Sequence, residues 1–236
     1  MLGWLEGAGP AAARLGPAER LVHEKRSSLA LLRAGRRKEG LLALQRWLEG
    51  VGRAGEPGRS PEVYAAAAEA RFVLLEAEFG GYVRIPLALP PRTLQKNLFR
   101  KLALRTELEK KYEEVIALKD PIFSLAALVR MGQLSQHLGE AMLRSPVPAG
   151  LTPEQQEIYL DELEKQAAPL GDRAKALLGK ALQIAFEKGL YGPWALEAAE
   201  TLQKLAPSKS PSTYLAPWTL PARAFEARPS DRGKRG

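Results

Sequence analysis

Apolar residues recur at helical spacing through most of the chain, and proline or glycine marks the breaks between the stripes. Leu94, Leu98, Leu102, Leu108, Tyr112 and Val115 share one side of a helix predicted over 92–118, the pattern of a helix buried along one stripe. Pro121 cannot donate the hydrogen bond that would carry this helix onward, so it stops at 118–120. Proline suits the first position of a new helix, where its missing N–H would be unpaired anyway, and Asp120 can cap the exposed donors. A second helix is therefore predicted over 121–144, with Leu125, Leu128, Met131 and Leu134 at helical spacing. The same reasoning starts a helix at Ser60-Pro61-Glu62 and ends it at Gly80-Gly81. Further helices are predicted over 17–34, 38–49, 153–166, 170–188 and 193–205, with Pro169 redirecting the chain between the third and fourth of these and Gly189 to Pro193 turning the last pair. Residues 82–89 alternate like a short strand, but Pro86, Pro90 and Pro91 remove donors and make this stretch an extended connector. The fold class is all-α, an irregular solenoid of antiparallel helix hairpins.

Leu108, Tyr112 and Val115, followed by Pro121, are similar to the second helix and turn of a tetratricopeptide repeat. Leu128, Met131-Gly132 and Ser135 are similar to the opening of the next repeat. Ala174, Leu178 and Ala181 resemble a further second helix, Gly40, Leu44 and Trp47 a degenerate one, and Arg71 with Leu74-Leu75 an opening helix. A strict period of about 34 residues fails, because the Arg84 to Arg92 and Ser145 to Pro153 segments push the copies apart. The proline-rich segment from Ser145 to Gln155 and the polar helix after it resemble the insertion in large tetratricopeptide proteins of bacterial cell envelopes, several of which serve gliding or secretion machinery. The resemblance implies packing roles and no chemistry. It also implies an inner groove lined by the first helix of each pair, which makes Arg71, Arg130 and Gln133 candidates for contact with a protein or peptide partner.

The domains that follow are a flexible amino terminus at 1–16, a helical hairpin at 17–60, a repeat domain at 61–206 and a disordered basic tail at 207–236. In that tail Tyr214, Trp218 and Phe225 could dock on the last helices or form a short binding motif.

The chain has 236 residues and a formal charge of +8, which raises nucleic acid as a partner. Residues 1–60 carry 11 basic against 6 acidic side chains and residues 207–236 carry 6 against 2, leaving 18 against 19 between them. Most of the excess thus lies outside the recognisable repeat region. Within it, Arg92, Lys96, Arg100 and Arg105 are spaced to fall near one face of the 92–118 helix, a stripe able to meet phosphates or an acidic partner. An ordinary solvated helix face is the simpler reading. The alternative function is electrostatic binding of nucleic acid or an anionic membrane through 92–111 and the tail.

No apolar run reaches the roughly 18 to 20 residues that span a bilayer. The amino terminus lacks the basic-then-apolar pattern of a secretion signal, so the default compartment is cytoplasmic unless the chain is a fragment of an envelope protein. There are no cysteines, and the histidines, His23 and His137, are far apart in sequence. No zinc site, nucleophile elbow or phosphate loop is evident. Neither enzymatic activity nor a cofactor is expected. The expected role is that of a non-catalytic scaffold for protein–protein interaction.

Overall fold

The computed structural model describes residues 15–207; the readings made for 1–14 and for the tail, including Tyr214, Trp218 and Phe225, lie outside the described residues. The helices are α1 (Pro17–Arg33), α2 (Arg37–Arg53), α3 (Pro61–Val83), α4 (Pro91–Ala117), α5 (Pro121–Leu143), α6 (Pro153–Glu187) and α7 (Pro193–Leu205), with a 3-10 turn at Pro57–Arg59. No strand occurs among the described residues.

Local chemistry starts these helices where the sequence places the starts. Asp120 accepts from the Phe123 N–H at 2.9 Å and Ser60 from the Val63 N–H at 3.3 Å. Thr152 and Gln155 form a reciprocal capping box at the head of α6. Gly35, at φ +79°, supplies the left-handed residue that turns α1 into α2.

Tertiary packing sets several of the ends. The predicted stop at Gly80-Gly81 does not occur, because the next residue, Tyr82, is fully buried and its hydroxyl donates to the Leu134 carbonyl at 2.6 Å. The second helix likewise runs past Gly50 and Gly52 to Arg53. Pro169 does not redirect the chain, and 153–187 is a single helix. Proline deprives the Lys165 carbonyl, four residues back, of its donor. Both residues are exposed, so water can take the lost bond, while Ala167 and Ala174 on the opposite side are buried. That side packs on α5, where a Cβ added to Gly132 would stand 2.8 Å from the Leu178 Cγ.

Consecutive helices pack as antiparallel neighbours, and the odd-numbered helices also pack on one another: α1 on α3, α3 on α5, α5 on α7. No pair of even-numbered helices packs as closely. The odd-numbered helices therefore form the tighter, inner layer of a short solenoid, with α2, α4 and α6 outside. Three cores run along it: Leu29, Leu44 and Trp47 against α3, Phe72, Leu108, Tyr112 and Met131 at α3–α5, and Leu128, Leu178 and Leu202 at α5–α7. Leu108, Tyr112, Val115, Ala174, Leu178 and Ala181 are all fully buried.

Candidate functional site

The inner layer carries an open groove of about 350 Å³ lined by Phe79 and Val83 of α3, Arg130, Gln133, Gln136, His137 and Glu140 of α5, and Glu197, Thr201 and Lys204 of α7. It adjoins a second depression, which shares Val83, His137 and Glu140 and extends to Ile85, Pro86, Leu87 and Arg144. On α5, an otherwise apolar helix, Arg130, Gln133, Gln136, His137 and Glu140 follow the helical period and form one polar stripe.

Arg130 is the centre of the groove floor. Its Nε and Nη2 each donate to a different Glu76 oxygen at 2.8 Å, and Nη1 donates to Glu197 at 2.6 Å and to the Gln133 carbonyl oxygen at 2.5 Å. The guanidinium also lies 4.7 Å from the Trp194 ring centroid and 5.0 Å from that of Phe79. Gln133 completes the cluster by donating to Glu197 at 2.9 Å. Burial opposes the Arg130 charge, but the hydrogen bonds and charges of Glu76 and Glu197 together outweigh it and hold the proton more firmly than usual. One cation thus ties α3, α5 and α7 together, with its side chain only 12% exposed.

A second polar cluster lies under the end of the groove. Lys101 of α4 is fully buried; its Nζ donates to the Tyr82 carbonyl at 2.7 Å and reaches the Ile85 carbonyl at 3.4 Å, and it stands 4.1 Å from the Tyr82 ring centroid. It thereby adds a second donor to the Tyr82 carbonyl at the end of α3, which also accepts from the Ile85 N–H at 3.3 Å. With no carboxylate in contact, burial pushes its pKa down to about 8. His137 faces the same tyrosine ring at 5.6 Å. Burial first, then the Lys101 charge, keeps that imidazole below its ordinary pKa, and its Nδ1 has no hydrogen-bond partner among the described residues.

Of the six residues singled out from sequence, the structure brings Arg130 and Gln133 together. Arg71 does not line the groove; it pairs with Glu114 of α4 at 2.9 Å. Arg92, Lys96 and Arg100 are exposed on the outer side of α4 and form no ion pair among the described residues. Arg105 does not continue their stripe. It turns inward, pairs with Glu109 at 3.0 Å and reaches the Ser135 hydroxyl at 3.5 Å, because thirteen residues of helix rotate it well away from Arg92. Leu102, placed on the buried side by its spacing, is instead 38% exposed, and Lys101 takes the inner position.

Glu76, Glu197, Trp194 and Lys101 were not visible as site residues. The α5 polar stripe was the available signal for the groove, and the seven-residue steps Leu94, Lys101, Leu108 and Val115 were the signal for a buried lysine. Among the described residues no group of three or more His, Asp or Glu could hold a metal ion, and no helix is long and apolar enough to cross a membrane. No protein-family model, curated protein or solved structure matches the chain.

Proposed function

We propose that the protein is a non-catalytic, tetratricopeptide-like scaffold whose inner groove receives a peptide or docking helix from a protein partner. The observation that carries this reading is the continuous odd-numbered layer, which presents an open polar groove along three helices. Stacked hairpins generate such extended surfaces, and these bind through many small contacts. Pro61–Ala117 and Pro121–Glu187 each exceed the roughly 34 residues of a tetratricopeptide unit, so the likeness lies in packing positions and not in repeat length. A place in a bacterial envelope, gliding or secretion assembly rests on the sequence resemblance alone and is part of this proposal.

Within the groove, the Arg130 clamp sets the spacing of α3, α5 and α7, and Gln136, Glu140 and Lys204 are the side chains positioned to meet a ligand. Capture of an interacting protein by the wild-type chain is compared with capture by a Gln136→Glu, Lys204→Glu variant, neither residue being part of the clamp. Loss of about tenfold in affinity with unchanged thermal unfolding is expected, in line with charge changes at a recognition surface. Unchanged affinity overturns the groove assignment.

The second reading, attachment to nucleic acid or an anionic lipid surface, is favoured by Arg92, Lys96 and Arg100, exposed in a line with no acidic partner among the described residues. It is weakened by the adjoining outer helix, whose first turns are strongly acidic and would repel a polyanion.

A further inference from the structure

Two outer helices extend past the inner layer at the same end of the molecule. On α5, Gly139 packs against the Ala167 carbonyl and Leu170 of α6, and α5 ends one turn later at Leu143. Because the two helices are antiparallel, α6 from Pro153 to about residue 163 lies beyond the end of α5, a projection of about 15 Å. On α4, the residues before Lys101 likewise lie beyond Val83, the last residue of α3, since Lys101 already bonds the carbonyls at that end. The two helices run in the same direction, and Arg173 of α6 pairs with Glu109 of α4 at 3.1 Å below the projections.

The outward faces of these projections are complementary. On α6, Ile158 is 68% exposed, with Glu154 four residues before it and Asp161 and Glu162 three and four after it, all on one face. From 153 to 165 there are five acids, Glu154, Glu157, Asp161, Glu162 and Glu164, against Lys165 alone. On α4, Phe99 is 62% exposed and is flanked on the same face by Arg92, Lys96 and Arg100, with no acid between 91 and 104. None of these exposed charges forms an ion pair among the described residues. Each projection is thus an apolar side chain ringed by charge of one sign, and the two signs are opposite.

We propose that a second copy of this chain docks here, as a two-fold dimer in which the basic face of α4 in each copy receives the acidic α6 arm of the other. A two-fold axis parallel to α4 and α6 exchanges their sides, so the same rotation makes both contacts and keeps all four projections at one end. An axis across the helices would instead set α4 on α4, cation against cation. The pairing buries Phe99 and Ile158 inside rings of matched charge, which specifies partner and register. This assignment does not depend on what the inner groove binds.

Sedimentation equilibrium of the full chain, across micromolar concentrations and at low and high salt, tests it. The expected mass is twice the 25.8 kDa of the chain, with dissociation strengthened about tenfold or more by salt. An Arg92→Glu, Lys96→Glu, Arg100→Glu variant and a Glu157→Lys, Asp161→Lys, Glu162→Lys variant are each expected to be monomeric with wild-type circular dichroism. Mixed one to one they are expected to form a heterodimer, because every reversed face then meets its opposite. A wild-type chain that stays monomeric, a dimer indifferent to both variants, or a mixture that fails to pair overturns the proposal. So does a first variant that keeps the wild-type mass but loses binding to a single-stranded DNA oligonucleotide or to phosphatidylserine vesicles, since that face then belongs to a polyanion.

Discussion

Arg130 and Lys101 lie on neighbouring helices with their charges turned into the protein, yet their surroundings differ. Arg130 meets two carboxylates, a side-chain amide and two aromatic faces; Lys101 meets backbone carbonyls and one ring. Burial acts against both charges. Only Arg130 has anionic partners to reverse that effect, so its proton is held more tightly while that of Lys101 is held less tightly. Pairing, and not depth, decides which buried cation is secure.

The sharpest way to break this contrast is Arg130→Ala. It leaves Glu76 and Glu197 facing each other without a cation and removes the link between α3, α5 and α7. A loss of about 3 kcal/mol in unfolding free energy is expected, near the low end for a broken buried pair because both carboxylates keep some contact with water. Urea denaturation measures it, and a loss no larger than that of a surface ion pair would mean the clamp is dispensable.

Smaller effects come from the two buried tyrosines beside these cations. The Tyr82 hydroxyl bonds the Leu134 carbonyl, whereas the Tyr112 hydroxyl is buried without a partner among the described residues. Tyr82→Phe is expected to cost about 1 kcal/mol and Tyr112→Phe to be neutral or stabilising, since it removes only an unsatisfied group. Thermal melts that rank the two variants in the opposite order would contradict the hydrogen-bond assignment.

A pH dependence carried by Lys101 is confined to a narrow alkaline window. Its folded pKa of about 8 lies below the ordinary value of 10.5, so between these values the unfolded chain binds more protons and stability rises with pH. The cost of the buried charge is present in full below pH 8. Above about pH 10 the trend reverses, because burial raises both tyrosines and the unfolded chain loses their protons first. Melting temperatures of the wild type are expected to climb from pH 8 to 10 relative to Lys101→Met, which removes the charge and preserves most of the volume. Parallel curves for the two proteins would show that Lys101 does not titrate in this range.

The helix starts were legible because they are local: Asp120-Pro121, Ser60-Pro61 and Gly192-Pro193 each define a start with adjacent residues. Ends and orientations were not, because they depend on distant partners. Nothing near Gly80-Gly81 says that Tyr82 will reach Leu134, and nothing near Pro169 says that its unbonded side will face water while Ala167 and Ala174 are held by α5. In the groove, Arg130 and Gln133 could be singled out from their helix, but Glu76 and Glu197 lie 54 and 67 residues away from Arg130 in sequence. A helical period places a residue on a face; only the fold decides what that face meets. Lys101 shows this most plainly, since it adjoins the exposed Arg100 in sequence while its register belongs to Leu108 and Val115.

The three cores share helices: α3 contributes to the first and second, α5 to the second and third. The molecule is thus a chain of links, and each link is coupled only to its neighbours. Opening the α1–α2 hairpin uncovers one side of α3 and leaves the far links closed, whereas separating α5 from its neighbours severs two links at once. Cooperativity therefore has a direction: fraying can begin at the α1–α2 end without loss of the groove, whereas α7 carries one wall of it, and α5 is the segment on which the unity of the whole fold depends.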